Sequence, residues 1–317
     1  MVDLSIIIVS WNVADLLAAC LDSIYTRVAA APEPDNALAV EVIVVDSGST
    51  DGTPEMLRQR FPQVQLIALG ENLGYTRANN LGLARAQGRC LFLLNPDTVI
   101  IDVALARLVA FLDANPNVGL CGPHTLNSDG TTQSTRRRFP NFWIGLFEST
   151  WLQPYAPKRL LDSYYYVNGN GVHETLDVDW VQGSALMARR EVYDQIGGLD
   201  EGFVMFSEEL DWCRRARDAG WRVVYVGSAE IIHHGGKSTE QAVAQTHILF
   251  QQSKLRYFRK YHGWAIAALL RAFLQANYLA QMGIEGGKWL LGHKRPLRQS
   301  RISAYWRVLR SGFKVSL

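Results

Sequence analysis

The sequence predicts an α/β fold, a mostly parallel sheet flanked by helices, on three observations. Short apolar runs rich in Ile and Val alternate with segments of helical period over residues 3–122. Those runs are apolar without alternation, as strands covered on both faces must be. Polar and acidic residues stand just beyond their carboxyl ends, where an open parallel sheet places its ligand crevice.

"LSIIIVSW" reads as the first strand, and Val13, Leu16, Leu17, Cys20, Leu21 and Ile24 recur at helical spacing after it. "VEVIVVDSGSTDGTPEM" gives a second strand, an acidic Gly/Ser loop and a helix start with Thr53 as cap and Pro54 in the first turn. "QLIAL" is a weaker third strand, "NLGYTRANNLGLARAQG" a helix closed by Gly88, and "CLFLLNPD" a fourth strand. A helix over Val103 to Leu112 leads to a fifth strand, "VGLCGP". From His124 to Asp177 the period is lost, and a long loop or small subdomain over the crevice is expected. Strand and helix return in "DVDWVQGSALMARREVYDQIGG" and "FSEELDWCRRARDAGWRVVYVG".

The net charge of +2 conceals an uneven distribution. Residues 1–253 hold 19 Lys and Arg against 29 Asp and Glu, whereas residues 254–317 hold 13 against the single acid Glu285. The basic tail suits an anionic surface that the acidic body would repel. Within it, "WAIAALLRAFLQANYLAQMGI" is interrupted by Arg271, Gln275, Asn277 and Gln281, too polar for a spanning helix of about 20 apolar residues. With Trp264, Trp289 and Trp306 nearby, an interfacial helix is expected, against the alternatives of a helical appendage packed on the body or a dimer interface. A nucleic-acid partner is disfavoured by the acidic crevice.

Cys20, Cys90, Cys121 and Cys213 are widely spaced in apolar patterns and read as buried thiols of a reducing compartment. Asp3 stands where a leader's basic segment would, and "LSIIIV" is too short for its apolar stretch. The cytoplasmic side is therefore expected, with the inner face of the plasma membrane as a peripheral location for the tail.

Two nucleotide motifs fail on spacing. Ser10-Trp11-Asn12 follows the first strand in place of G-x-G-x-x-G, and "GGKST" lacks the leading glycine of a phosphate loop, because Ile231 stands there. Asp97, closing a buried strand after Pro96, can reach a hard divalent cation, or simply close an Asx turn. Asp46 is placed to accept a nucleobase ring N–H, while Asp51 suits a structural turn. Glu208, Glu209 and Asp211 crowd three acids into four residues, which raises at least one pKa as a general base requires, although a helix start or pairing with Arg214 or Arg215 also accounts for them. His233 and His234 follow a strand-like "AEII", and either could complete a metal site.

"SIIIVSWN", "VIVVDSGSTDGT", "ENLGYTRANNLGLARAQG", "LFLLNPDT", "GSALMARREVYDQIGGLDEGFVMFSEELDWCRRARDAGWRVVYV" and "IIHHGGKST" occur in the order seen in glycosyltransferase family 2. The chain resembles its rhamnosyltransferase-like branch of bacterial polysaccharide enzymes. That resemblance implies a GT-A fold, Rossmann-like, with a basic helical C-terminal appendage. It divides the chain into a catalytic domain, residues 1–245, with a nucleotide-binding half to about 122 and an acceptor half from about 123, and a helical region, residues 246–317. The implied reaction is an inverting, metal-dependent hexosyl transfer from dTDP-rhamnose or a UDP-sugar to a glycan or lipid-linked acceptor, with Mg²⁺ or Mn²⁺.

By the same resemblance, Ser10, Trp11, Asp46, Asn72, Arg77 and Asn95 contact the nucleotide-sugar, Asp97 and His233 hold the metal, and the catalytic acids are Glu209, Glu208 and Asp211, with Glu209 the expected base. Asn95 stands where the family's Asp-x-Asp motif has its first acid, and Glu209 where its Glu-Asp motif has Asp. These departures raise the alternative of a catalytically impaired nucleotide-sugar binding or scaffolding protein.

Overall fold

The structure, a computed structural model, describes residues 2–29, 38–166, 171–235 and 243–313. Residues 236–239 of the "GGKST" run fall outside them. Two compact units are formed.

The first unit comprises Met1–Phe139, Tyr165–Glu201 and Glu208–Ser238. Its elements in chain order are β1 (Leu4–Ser10), α1 (Ala14–Ala29), β2 (Val40–Asp46), α2 (Thr53–Arg60), β3 (Gln65–Ala68), α3 (Tyr75–Arg85), β4 (Cys90–Leu94), β5 (Thr98–Ile100), α4 (Ala104–Ala114), β6 (Val118–Leu126), β7 (Thr132–Gln133) and β8 (Arg136–Arg137). Between β8 and the remaining strands, α5 (Phe142–Phe147) and α6 (Lys158–Tyr164) belong to the other unit. The first unit resumes with β9 (Leu176–Val178), β10 (Trp180–Val181), β11 (Ala185–Arg189), α7 (Arg190–Ile196), α8 (Glu208–Asp218) and β12 (Arg222–His233).

One sheet runs in the order β3-β2-β1-β4-β11-β6-β12-β5. β1 pairs in parallel with β2 and with β4, so the chain order reverses direction between β1 and β4. A ligand crevice belongs outside the carboxyl ends at such a reversal. The continuous apolar runs of β1 and β4 are buried along their whole length, as strands with both faces covered require. β11 runs antiparallel to β4, and β6 and β12 pair in parallel beyond it. The sheet is thus mixed at its centre.

The reversal after β4 is tight. Asn95-Pro96-Asp97 turns the chain into β5, which pairs antiparallel with the end of β12, Thr98 opposite His233. β5 is too short to leave a period in the sequence. Asp51 is structural, as its turn suggested: its Oδ2 accepts from the Ala14 amide at 2.9 Å and its Oδ1 from the Thr53 hydroxyl at 2.6 Å. All four cysteines are buried free thiols.

The second unit comprises Pro140–Tyr164, Gly202–Ser207 and Thr239–Leu317. It adds α9 (Val243–His262), α10 (Trp264–Leu290) and α11 (Arg295–Ser311). α10 buries Ala267, Leu270, Leu274 and Tyr278 and leaves Leu269, Leu279, Ile284 and Leu290 exposed. Glu285 is buried against Arg298, its Oε2 accepting from Nη1 at 2.7 Å. α5 is capped by Asn141, whose Oδ1 accepts from the Ile144 amide, and the buried Lys254 ammonium donates to the Gly145 and Glu148 carbonyls near its other end. Among the described residues, no helix is long and apolar enough to cross a membrane.

Candidate functional site

The carboxyl ends of β1, β2 and β4 bring the first group of expected residues together. Ser10 lies opposite Asp46 in the β1–β2 register, and both are buried. Asp46 Oδ2 accepts from the Ser49 amide at 3.0 Å, whereas Asp46 Oδ1 and Ser10 Oγ are buried without a hydrogen-bond partner. Buried polar atoms are almost always satisfied, so two orphans side by side can meet a polar ligand edge. Trp11 is half-buried at the same strand end. Asn72 is exposed, its Oδ1 accepting from the Ser47 hydroxyl and the Gly74 amide. Arg77 is exposed as well and reaches Glu201 at 3.3 Å.

A second group assembles around the β4–β5 turn. Asp97 Oδ1 lies 3.2 Å from His233 Nε2, and both residues are buried. His233 Nδ1 faces Gln133 Oε1 at 2.8 Å, and Gln133 Nε2 in turn donates to Asn127 Oδ1 at 3.0 Å. That second bond fixes the amide, so its oxygen faces the ring and Nδ1 is the protonated nitrogen. The Nε2 lone pair is left pointing at Asp97. A carboxylate oxygen and a ring lone pair facing each other make a fitting pair of ligands for a divalent cation, and the second bond on the ring is how metal-binding histidines are usually oriented.

Asn95 joins this pair to the acids of α8. Its Nδ2 donates toward His233 Nε2 at 3.3 Å, and its Oδ1 accepts from the Tyr75 hydroxyl at 3.0 Å. The same hydroxyl lies 3.3 Å from the Gly183 carbonyl oxygen, and the Gly183 amide donates to Glu209 Oε1 at 3.4 Å. A line of close polar contacts therefore leads from Glu209 past Gly183, Tyr75, Asn95 and His233 to Asp97. Burial and the charges of Glu208, Glu209 and Asp97 all push the Tyr75 phenol up, which places these three acids within electrostatic reach of one hydroxyl.

The three α8 acids separate by environment. Glu208 is buried with Oε2 unpartnered, and burial, followed by the neighbouring Glu209 charge, holds its carboxyl well above the ordinary range. Glu209 is half-buried, its Oε2 also without a partner, and burial raises its pKa. Asp211 is fully buried, and its Oδ2 accepts from Arg215 Nε at 2.8 Å. Arg215 also donates to the carbonyls of Ile196 and Gly198, so Asp211 anchors α8 to the end of α7. Phe206 and Ser207, immediately before α8, both adopt positive φ, 69° and 63°, a strained entry of the kind found at functional sites.

Tyr75, Gly183 and Gln133 are the members that sequence reasoning missed. Tyr75 lies within the "ENLGYTRANN" motif, so its position was available there although its partners were not.

The model of glycosyl transferase family 2 matches residues 5–197. The N-acetylglucosaminyl-diphospho-decaprenol L-rhamnosyltransferase of Mycobacterium tuberculosis is 33% identical over 245 residues, covering 73% of this chain and 78% of that protein. The low-salt glycan biosynthesis hexosyltransferase of Haloferax volcanii is 28% identical over 238 residues, covering 73% of this chain and 67% of the other. Among solved structures, a mannosyltransferase from Pyrobaculum calidifontis in complex with GDP-Man and Mn²⁺ superimposes with a TM-score of 0.53 at 19% identity, covering 96% of this chain and 84% of that one. The fold is GT-A and the chain is an enzyme of nucleotide-sugar glycosyl transfer in polysaccharide synthesis. On its matched family model, its relatives and its ordered motifs, the chain belongs to glycosyl transferase family 2.

Proposed function

We propose that the chain transfers a sugar, with inversion, from dTDP-rhamnose or a UDP-sugar to a hydroxyl of a glycan or lipid-linked acceptor. The line of polar contacts from Glu209 to Asp97 carries this reading, because it spans a proton acceptor and a cation-binding pair at the switch point of the sheet. The mycobacterial relative supports rhamnose and a lipid-linked diphosphate acceptor, and the metal in the archaeal complex supports a divalent cation.

Asp46 Oδ1 and Ser10 Oγ would take the ring N–H and a neighbouring polar group of a uracil or thymine. Asp97 and His233 Nε2 would hold Mg²⁺ or Mn²⁺, which when bound neutralises charge on the departing diphosphate. Glu209 would accept the acceptor hydroxyl's proton as that oxygen bonds to the anomeric carbon and the bond to the diphosphate oxygen breaks. Its pKa, raised by burial, suits a base working near neutral pH. Asp211, held by Arg215, is left a structural role.

Asn95 Oδ1 accepts from the Tyr75 hydroxyl, and a cation on His233 Nε2 would take the lone pair that faces Asn95 Nδ2. The basic tail, with Trp264 and Trp306 exposed, supports contact with an anionic membrane surface on the cytoplasmic side. Flotation of the chain with anionic vesicles, and its absence with neutral ones, tests that assignment.

The donor site is tested by thermal stabilisation with UDP, dTDP, GDP, ADP and CMP, with and without Mg²⁺ or Mn²⁺, in the wild type and Asp97→Ala. A nucleotide at a hundred times its Kd stabilises by about 2.7 kcal/mol. Metal-dependent stabilisation by UDP or dTDP, lost in the variant, is expected. No shift with any nucleotide would overturn the proposal.

A further inference from the structure

Three ligand-bearing side chains outside this site converge on one point of the first unit. His124 on β6 is buried, with Nδ1 3.2 Å from Glu230 Oε1. His173, exposed, brings its own Nδ1 to 3.4 Å from the same oxygen. All three ligand atoms lie within 4.8 Å of one another. We propose that His124, His173 and Glu230 form a second, transition-metal site that takes Zn²⁺, with water at the remaining position.

The two separations to Glu230 suit that ion. Zinc bonds of about 2.0–2.1 Å to nitrogen and 2.0–2.2 Å to oxygen, arranged tetrahedrally, put ligand atoms roughly 3.3–3.4 Å apart. The ligand set, two imidazoles and one carboxylate, is a zinc set with an open position. His124 Nε2 lies 3.1 Å from the Thr132 hydroxyl, and donation there leaves the Nδ1 lone pair facing Glu230.

The backbone is shaped to the same end. From Val223 to Val226, opposite Pro123, β12 pairs regularly with β6, then shifts register and resumes with Glu230 opposite His124. Bulges of this kind re-aim side chains. Gly227 lies within the irregular stretch, and a Cβ there would stand 2.3 Å from the His173 carbonyl carbon and 2.7 Å from the Glu174 oxygen. Only glycine lets the His173 segment come so close.

The site is separate from Asp97 and His233. Glu230 and His233 are three residues apart on a regular stretch of β12, so they face opposite sides of the sheet. β7 serves both, Thr132 on one side and Gln133 on the other.

The test is Zn²⁺ binding to the full chain by competition with a chromophoric chelator, together with the visible spectrum of Co²⁺ as a tetrahedral reporter. One equivalent should bind with the Co²⁺ band and remain in Asp97→Asn. His173→Ala, at an exposed side chain, and Glu230→Gln should each weaken it by at least about tenfold. Gly227→Ala, which displaces the His173 backbone, should do the same. Binding in the wild type that disappears in Asp97→Asn, binding unchanged in His173→Ala, or no zinc bound at all would each overturn the proposal.

Discussion

Replacing Glu209 by Gln separates its proposed role as base from its place in the scaffold. The Gln carbonyl oxygen can keep the 3.4 Å bond from the Gly183 amide, so the line through Tyr75 and Asn95 survives. The new amide nitrogen takes the place of Oε2, which has no partner, at a cost of about 1–3 kcal/mol in stability. What is lost is the capacity to take a proton. General-base contributions of roughly 10²–10⁴ in rate correspond to about 2.7–5.4 kcal/mol in the barrier. The assay is release of nucleoside diphosphate with donor and acceptor, beside donor-dependent thermal stabilisation, which should be unchanged. The pH profile gives a further reading. The carboxylate form accepts the proton, so wild-type rate falls as pH drops through the Glu209 pKa, and burial moves that limb above the ordinary 4.5. In Glu209→Gln the limb should vanish along with the rate. A variant within about tenfold of wild type, with the limb intact, would refute Glu209 as base.

Glu208→Gln should raise Tm at neutral pH. The folded-state pKa of Glu208 is raised, so the native state binds a proton that the unfolded state releases, and stability falls as pH climbs from about 4.5 toward the folded value. The Gln variant should flatten that slope, and an unchanged Tm–pH curve would refute the burial argument. Gln133→Leu frees His233 Nδ1 and should weaken nucleotide-dependent Mn²⁺ binding by about 10–100-fold in a calorimetric titration; equal affinity would mean that the amide does not set the ring. Asp46→Asn should weaken UDP or dTDP binding by about 10–100-fold, the worth of a hydrogen bond to a charged acceptor, with Tm of the free protein little altered. Gly88→Ala would press a Cβ to 2.5 Å from the Ser5 amide nitrogen, and denaturant unfolding should show a loss of about 1–3 kcal/mol.

The crevice was legible because strand ends carry local signals. Ser10, Asp46 and Asp97 each follow an apolar run, and their convergence needs only a parallel sheet. What was not legible depends on distant pairing. β5 is three residues long and exists because β12 pairs with it, so Asp97 and His233 meet through a contact that no local period records. The pairing of Asp211 with Arg215, four residues on, is by contrast local and was one of the readings the helical spacing allowed. Tyr75 and Gln133 act in part through Gly183 and His233, 108 and 100 residues away, and are hidden in segments that read as helix or loop. The aperiodic stretch from His124 holds β7, β8, α5 and α6, and the second two pack within the C-terminal unit.

β7 is two residues long, and adjacent residues on a strand point to opposite faces. The turn that leads into it, Asn127 to Thr131, is on the surface, where insertions and deletions are ordinarily tolerated. One residue gained or lost there would exchange the faces of Thr132 and Gln133, leaving His233 opposite a hydroxyl and His124 opposite an amide. A surface turn that can drift at residues 128–130 is therefore fixed in length and at Asn127, which holds Gln133, and variants of this enzyme should differ at those three residues far more readily than in their number.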